Sequence, residues 1–242
     1  MSEAPPAAWQ RAEIAEEFLE HRQGLLPLLD VQEELVGLLF ERRGRPVARF
    51  LDLGSGDGAM TQLIRSAAPH AEAVLVDFSE PMLARAERRL GDGGAAWRAV
   101  RADLSTPAWQ DAVSDGPFDA VVSSYAIHHL TSERKRALYA EVHSLLAPGG
   151  MFVNMDVVKI SGPLAGLFDE RIAAAHAKLA GTHGGEHEES DPDAFEDSAE
   201  DRPDTLEDQL GWLREAGFEQ VEVHFKWAEG AIFGAIKPER RA

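Results

Sequence analysis

Two rhythms of apolar and polar residues alternate along this chain. Residues 47–53, 73–76, 97–102, 118–123 and 151–158 are short apolar runs of strand length. The stretches between them, 59–68, 82–90, 107–113 and 132–146, read as helices. Proline and glycine punctuate the pattern: Pro69 closes the first of these helices, Gly91, Gly93 and Gly94 break the second, and Pro148-Gly149-Gly150 ends the last. Ser79 followed by Glu80 and Pro81 predicts a helix N-cap and first turn.

The alternation has different flanks. Residues 9–23 and 25–40 read as two leading helices, with Pro27 near the start of the second. Residues 163–180 read as a further helix, with Leu164, Leu167, Phe168 and Ile172 among its apolar positions, and 181–203 as a polar, acidic loop. A helix over 205–216 and two strands over 218–226 and 231–236, turning at Glu229-Gly230, close the chain. Strand–helix alternation of this kind predicts an α/β three-layer sandwich with a mostly parallel sheet. It divides the chain into N-terminal helices over 1–45, a candidate substrate cover, and a core over 46–242 with an inserted helix and acidic loop at about 160–204.

Composition narrows the setting. The chain has 242 residues, no cysteine and a formal net charge of -18. Absent cysteine excludes disulfides and thiolate metal sites and fits a cytoplasmic protein. No apolar run is long enough to span a membrane, and the N-terminus does not read as a signal peptide. Residues 186–208 hold twelve acidic side chains and one arginine, Arg202, and so supply most of the negative charge. This balance argues against nucleic acid as a partner, because such binding needs positive patches, and leaves a small molecule as the expected substrate.

Chemistry concentrates between residues 50 and 104. The run FLDL enters a turn with Gly54, Gly56 and Gly58, whose spacing departs from the dinucleotide fingerprint by Ala59 at the third glycine. Glycine admits close approach of a ligand to the backbone. Asp52 and Asp57 would be poor neighbours for a pyrophosphate and suit an ammonium group instead. Asp77 ends the second strand, where a carboxylate can accept both hydroxyls of a ribose. Phe78 can cover one face of an adenine, with Met82 beside it, while Asp103 can reach the exocyclic amine and Leu104 can line the ring.

The segments LDLGSGDG, VDFSEPMLARA, RADL, FDAVVSSYAIHHL and LLAPGG together resemble the successive motifs of class I S-adenosylmethionine-dependent methyltransferases, and the tail LEDQLGWLREAGFEQVEV with FGAIKP resembles their closing helix and hairpin. The resemblance implies a Rossmann-like, seven-stranded sheet with an antiparallel last strand and S-adenosyl-L-methionine as cofactor. It places Gly54, Ser55, Gly56 and Gly58 beside the methionine part, Asp77 on the ribose and Asp103 on the adenine. Ser124 would touch the cofactor, and Tyr125 would shape the methyl channel.

Methyl transfer from a sulfonium is an in-line displacement that needs alignment, and at most proton removal, with no covalent protein nucleophile. His128 and His129 are candidate bases, although structural packing is the favoured role for both; Tyr125 and His129 are the residues expected on the reaction side. His183, Glu186 and His187 form H-G-G-E-H, whose two glycines disfavour one helix face, so no metal site is expected. Trp9 and Arg22 are further candidates for the cover, Phe195 could dock the acidic loop, and Arg202 could bind a substrate anion or balance its acidic neighbours. The expected activity is methyl transfer to oxygen or nitrogen of a small molecule. Alternatives are a transfer-RNA-modifying or carboxy-S-adenosylmethionine-related enzyme, an NAD-dependent oxidoreductase, and a noncatalytic cofactor-binding protein. An exposed edge or the leading helices could support a homodimer.

Overall fold

The computed structural model describes residues 26–91, 96–113, 116–167, 170–171, 173–174 and 201–239. Helix α1 (Leu29–Arg42) leads into β1 (Arg49–Leu53), α2 (Ala59–Ala67), β2 (Glu72–Asp77), α3 (Glu80–Leu90) and β3 (Trp97–Arg101). A 3-10 helix at Pro107–Val113 precedes β4 (Phe118–Ser124), and another at Ile127–His129 precedes α4 (Ser132–Leu145) and β5 (Leu146–Val157). The described chain ends with α5 (Leu206–Glu215), β6 (Glu219–Trp227) and β7 (Gly230–Ile236).

The strands form one sheet in the order β3-β2-β1-β4-β5-β7-β6. Every pairing among β1 to β5 is parallel, and β7 runs antiparallel to both neighbours. This is the expected α/β three-layer sandwich with a reversed last strand. Alternating side chains send each strand into two cores. On β2, Ala73 and Leu75 join the core under α1, α2 and α3, whereas Val74 and Val76 join the core under α4 and α5. Phe50, Leu51, Val74, Leu75 and Phe152 have no exposed surface, and each such side chain contributes roughly 1.5–3 kcal/mol of burial.

Local chemistry sets the helix ends. Ser79 accepts from the Met82 amide at the start of α3, with Pro81 in the first turn, as the sequence predicts. Thr131 and Thr205 cap α4 and α5 through the amides of Arg134 and Asp208. Three expectations are corrected. Pro27 lies outside α1, which begins after Leu28 in a left-handed conformation. The Pro148-Gly149-Gly150 segment lies inside β5, which starts at Leu146 and takes a register shift opposite Phe118 and Ala120. It stays in the sheet because Gly149 and Gly150 exchange backbone hydrogen bonds with Lys237. Leu164, expected inside a helix over 163–180, is instead 55% exposed in a turn over 163–166. The candidates Trp9, Arg22, Phe168, Ile172, His183, Glu186, His187 and Phe195 lie outside the residues whose side chains are described.

Candidate active site

The carboxyl ends of β1 and β2 are tied together by the glycine turn. The Gly54 and Ser55 amides both donate to the Val76 carbonyl, at 2.8 and 3.0 Å. Asp77 completes the tie: its Oδ2 accepts from the Gly56 amide and its Oδ1 from the Ser79 amide, each at 2.8 Å. Gly54 has φ +64°, and a Cβ there would stand 2.2 Å from the Ala126 Cβ, so the turn sits directly against the segment leaving β4. Gly56 has φ +52° and open space where a Cβ would lie, an exposed stretch of backbone that a ligand can approach.

Beneath the turn, Asp52 is fully buried. Thr61 Oγ1 donates to its Oδ2 at 2.7 Å, while its Oδ1 and the buried Ser55 Oγ have no hydrogen-bond partner among the described residues. Burial raises the Asp52 carboxyl to about 7 despite the Thr61 bond, and it also raises that of Asp77 against its three backbone donors. A buried carboxylate oxygen without a donor is costly, so this corner favours a cationic or hydroxyl-bearing guest. Asp57 instead pairs with Arg89 of α3 and accepts from the Ala59 amide, which makes it a brace of the turn. The Asp103 carboxylate is held by the Ser105 amide and hydroxyl at 2.8 and 2.7 Å. Met82 and Leu104 are buried; Phe78 and Ser124 are partly exposed.

A second cluster surrounds the carboxyl ends of β4 and β5. Ser123 donates to the Leu53 carbonyl inside the sheet, which leaves its neighbour Ser124 on the opposite side of the strand. Tyr125 follows with φ +50°, a strained value for a residue with a side chain. Its amide donates to Met155, and its hydroxyl donates 3.0 Å to Gln32 of α1, whose own amide donates to the Pro27 carbonyl. His128 is buried with Nδ1 2.5 Å from Asp156 Oδ1, and its Nε2 is 3.4 Å from Asp201 Oδ1. His129 Nδ1 lies 2.9 Å from the same Asp201 oxygen. Burial alone would lower His128, but Asp156 and Asp201 override it and push the imidazole up to about 10. Burial and the neighbouring His128 charge lower His129, against the pull of Asp201. Asp201 is held well below the usual carboxylate range by both histidines, which overcome its burial.

A strap over 201–205 closes this cluster. The Arg202 amide donates to the His128 carbonyl, and Lys135 of α4 donates to the Arg202 carbonyl and to Asp204 Oδ2. Ser132 Oγ donates to Asp204 Oδ1 at 2.7 Å.

Residues 50–150 match the family model described as a methyltransferase domain. A demethylmenaquinone methyltransferase of Clavibacter sepedonicus is 32% identical over 204 residues, covering 81% of this chain and 77% of its own length. The chain belongs to the class I S-adenosylmethionine-dependent methyltransferases. A demethylmenaquinone methyltransferase of Thermus thermophilus is 36% identical over 121 residues, but the match covers only 50% of each protein. A carboxy-S-adenosyl-L-methionine synthase of Shewanella amazonensis is 27% identical over 209 residues, covering 84% of this chain and 81% of its own. Among solved structures, an O-methyltransferase family protein from Burkholderia thailandensis superposes with a TM-score of 0.64 at 15% identity, over 95% of this chain and 60% of that one. This methyltransferase uses S-adenosylmethionine, and the unpartnered Asp52 oxygen, the Ser55 hydroxyl and the open face of Gly56 suit a ligand with an ammonium group and hydroxyls. Family membership overturns the NAD-dependent reading.

In this methyltransferase, Asp52, Gly54, Ser55, Gly56 and Asp77 converge on one turn. Gly58 faces Ala86 and Leu90 of α3, a packing position. Sequence reasoning missed Gln32, Asp156 and Asp201. Asp156 carried a signal, since it interrupts the apolar run of β5 at its carboxyl end, where α/β sheets place ligands. Gln32 and Asp201 carried none, because neither lies in a motif.

Proposed function

We propose that this methyltransferase transfers a methyl group from S-adenosylmethionine to an oxygen or nitrogen of a small molecule. The observation that carries the reading is the donor cradle, in which Asp77 accepts from the Gly56 amide of the turn and from the Ser79 amide beyond β2, while Asp52 keeps one buried oxygen without a donor among the described residues. Asp52 and Ser55 would receive the methionine end, directly or through water. Asp77 would accept the ribose hydroxyls on its remaining lone pairs, with Gly54 and Gly56 as the wall of the cradle. Phe78, Met82, Asp103 and Leu104 would enclose the adenine, and Ser124 would meet the cofactor from β4. Tyr125 and His129 would face the acceptor. Catalysis would rest on alignment in a site shielded from water.

A second reading takes a demethylmenaquinone-type compound as the acceptor, supported by the two relatives that bear that name. The test is a metabolite screen with the methyl group of the donor isotopically labelled. Product mass identifies the acceptor, and a carboxylated cofactor would also be seen there. Cofactor binding with no labelled product from any extract would overturn the catalytic reading in favour of a noncatalytic binding protein.

A further inference from the structure

The sequence predicts no metal centre, yet the fold joins His128 and His129 to Asp201, which lies more than seventy residues further along the chain. We propose that His128, His129 and Asp201 bind a divalent first-row transition ion of the zinc or iron(II) kind. One donor atom of each residue lies within 4.8 Å of the other two. Asp201 Oδ1 stands 3.4 Å from His128 Nε2 and 2.9 Å from His129 Nδ1. Bonds of about 2.0–2.2 Å to such an ion separate neighbouring ligand atoms by roughly 3.0–3.5 Å, so the three groups need only small adjustments.

Three further observations support the site. His128 Nδ1 is held by Asp156, which also accepts from the His128 amide at 3.0 Å. This carboxylate–imidazole arrangement fixes the ring and turns Nε2 toward Asp201, as the outer partners of metal-bound histidines do. His129 Nδ1 is buried and, although close to Asp201, is out of line for a hydrogen bond. Two carboxylates, Asp156 and Asp201, face two imidazoles here. A dication with both rings neutral balances their charge. Imidazole and carboxylate ligands together suit zinc, iron and their neighbours.

Three protein ligands leave a coordination position open. In the reading proposed above, an acceptor oxygen or nitrogen entering that position would be polarised next to the donor. That consequence rests on the methyl-transfer reading; the site itself rests on geometry.

The experiment is equilibrium dialysis of the full chain against Zn2+, with metal measured by mass spectrometry, and a parallel titration with Co2+ read by visible absorption. The expected result is a single ion per chain. Asp201→Asn and His129→Ala should each abolish it, and Asp156→Asn should weaken it roughly 10–100-fold. His224→Ala on β6 serves as a control and should bind as wild type. Circular dichroism confirms that each variant is folded. Failure of the wild type to retain Zn2+, or unchanged binding by folded Asp201→Asn, overturns the proposal. Calorimetry with S-adenosylmethionine in the presence of chelator separates the two readings. Cofactor binding without metal retention sinks the metal site alone, and metal retention without cofactor binding sinks the donor cradle alone.

Discussion

The two ends of the site are built differently. The donor side comes from a short stretch of chain, with its turn fastened by backbone amides to Val76 and Asp77. The side proposed for the acceptor is assembled from distant pieces: Gln32 of α1, Tyr125 and the histidines after β4, Asp156 of β5 and Asp201 of the strap. Backbone-built geometry survives most side-chain changes, because the chain path itself carries it. Side-chain-built geometry can be altered one residue at a time. The difference explains how one donor cradle can serve many acceptors in this fold.

The largest test of the contrast is Asp156→Ala. It leaves the buried His128 imidazole without its main partner, and the expected loss is about 3–5 kcal/mol by urea denaturation. A loss below about 1 kcal/mol would show that the acceptor side does not depend on single side chains. Asp77→Ala strikes the side chain that ties the glycine turn to the end of β2. Losing two charge-assisted hydrogen bonds, about 1.5–3 kcal/mol each, should weaken S-adenosylmethionine binding by at least roughly 100-fold in calorimetry. Unchanged affinity would remove Asp77 from the cradle.

Gly54→Ala should cost about 1–3 kcal/mol in a thermal melt, since it forces both a left-handed backbone and a collision with Ala126. Adding Ala126→Gly removes only the collision, so partial recovery is expected and full recovery would show that the backbone is unstrained.

Asp52 supplies a pH test. Its folded pKa of about 7 lies above the ordinary 3.8, so the stability it contributes is full below about pH 4 and is lost as pH rises through 7. Asp52→Asn should flatten that slope and gain on the order of 1–2 kcal/mol at pH 8, after allowance for water entry and the Thr61 bond. Ionised Asp52 favours an ammonium guest, so cofactor affinity in the wild type should strengthen toward pH 8 and should not do so in Asp52→Asn. Parallel pH profiles for the two proteins would separate Asp52 from the methionine end. The smallest effect belongs to Tyr125→Phe, which loses one hydrogen bond to Gln32 and should cost about 0.5–1.5 kcal/mol.

The same contrast governs what the sequence discloses. The strands and the glycine turn are legible because they follow from local rules: apolar run length, Ser79 at a cap, and glycine where φ must be positive. Asp77 is legible because the end of an apolar strand is a predictable place. Asp57 misleads, since nothing local reveals that Arg89 of α3 will claim it. The partners of His128 and His129 are hidden for a similar reason. Asp201 sits in an acidic run where every residue looks alike, and only tertiary folding selects it. The Pro-Gly-Gly segment reads as a stop because its strand pairing with Lys237 is equally non-local.

Lys135 has no exposed surface, and its amine is shut between α4 and the strap by Asp204 and the Arg202 carbonyl. Acylating reagents that modify surface lysines within seconds cannot reach it while those contacts hold. Its labelling rate, read by peptide mass, therefore counts the moments when the strap leaves the body of the protein, and makes one lysine a clock for opening of the acceptor side.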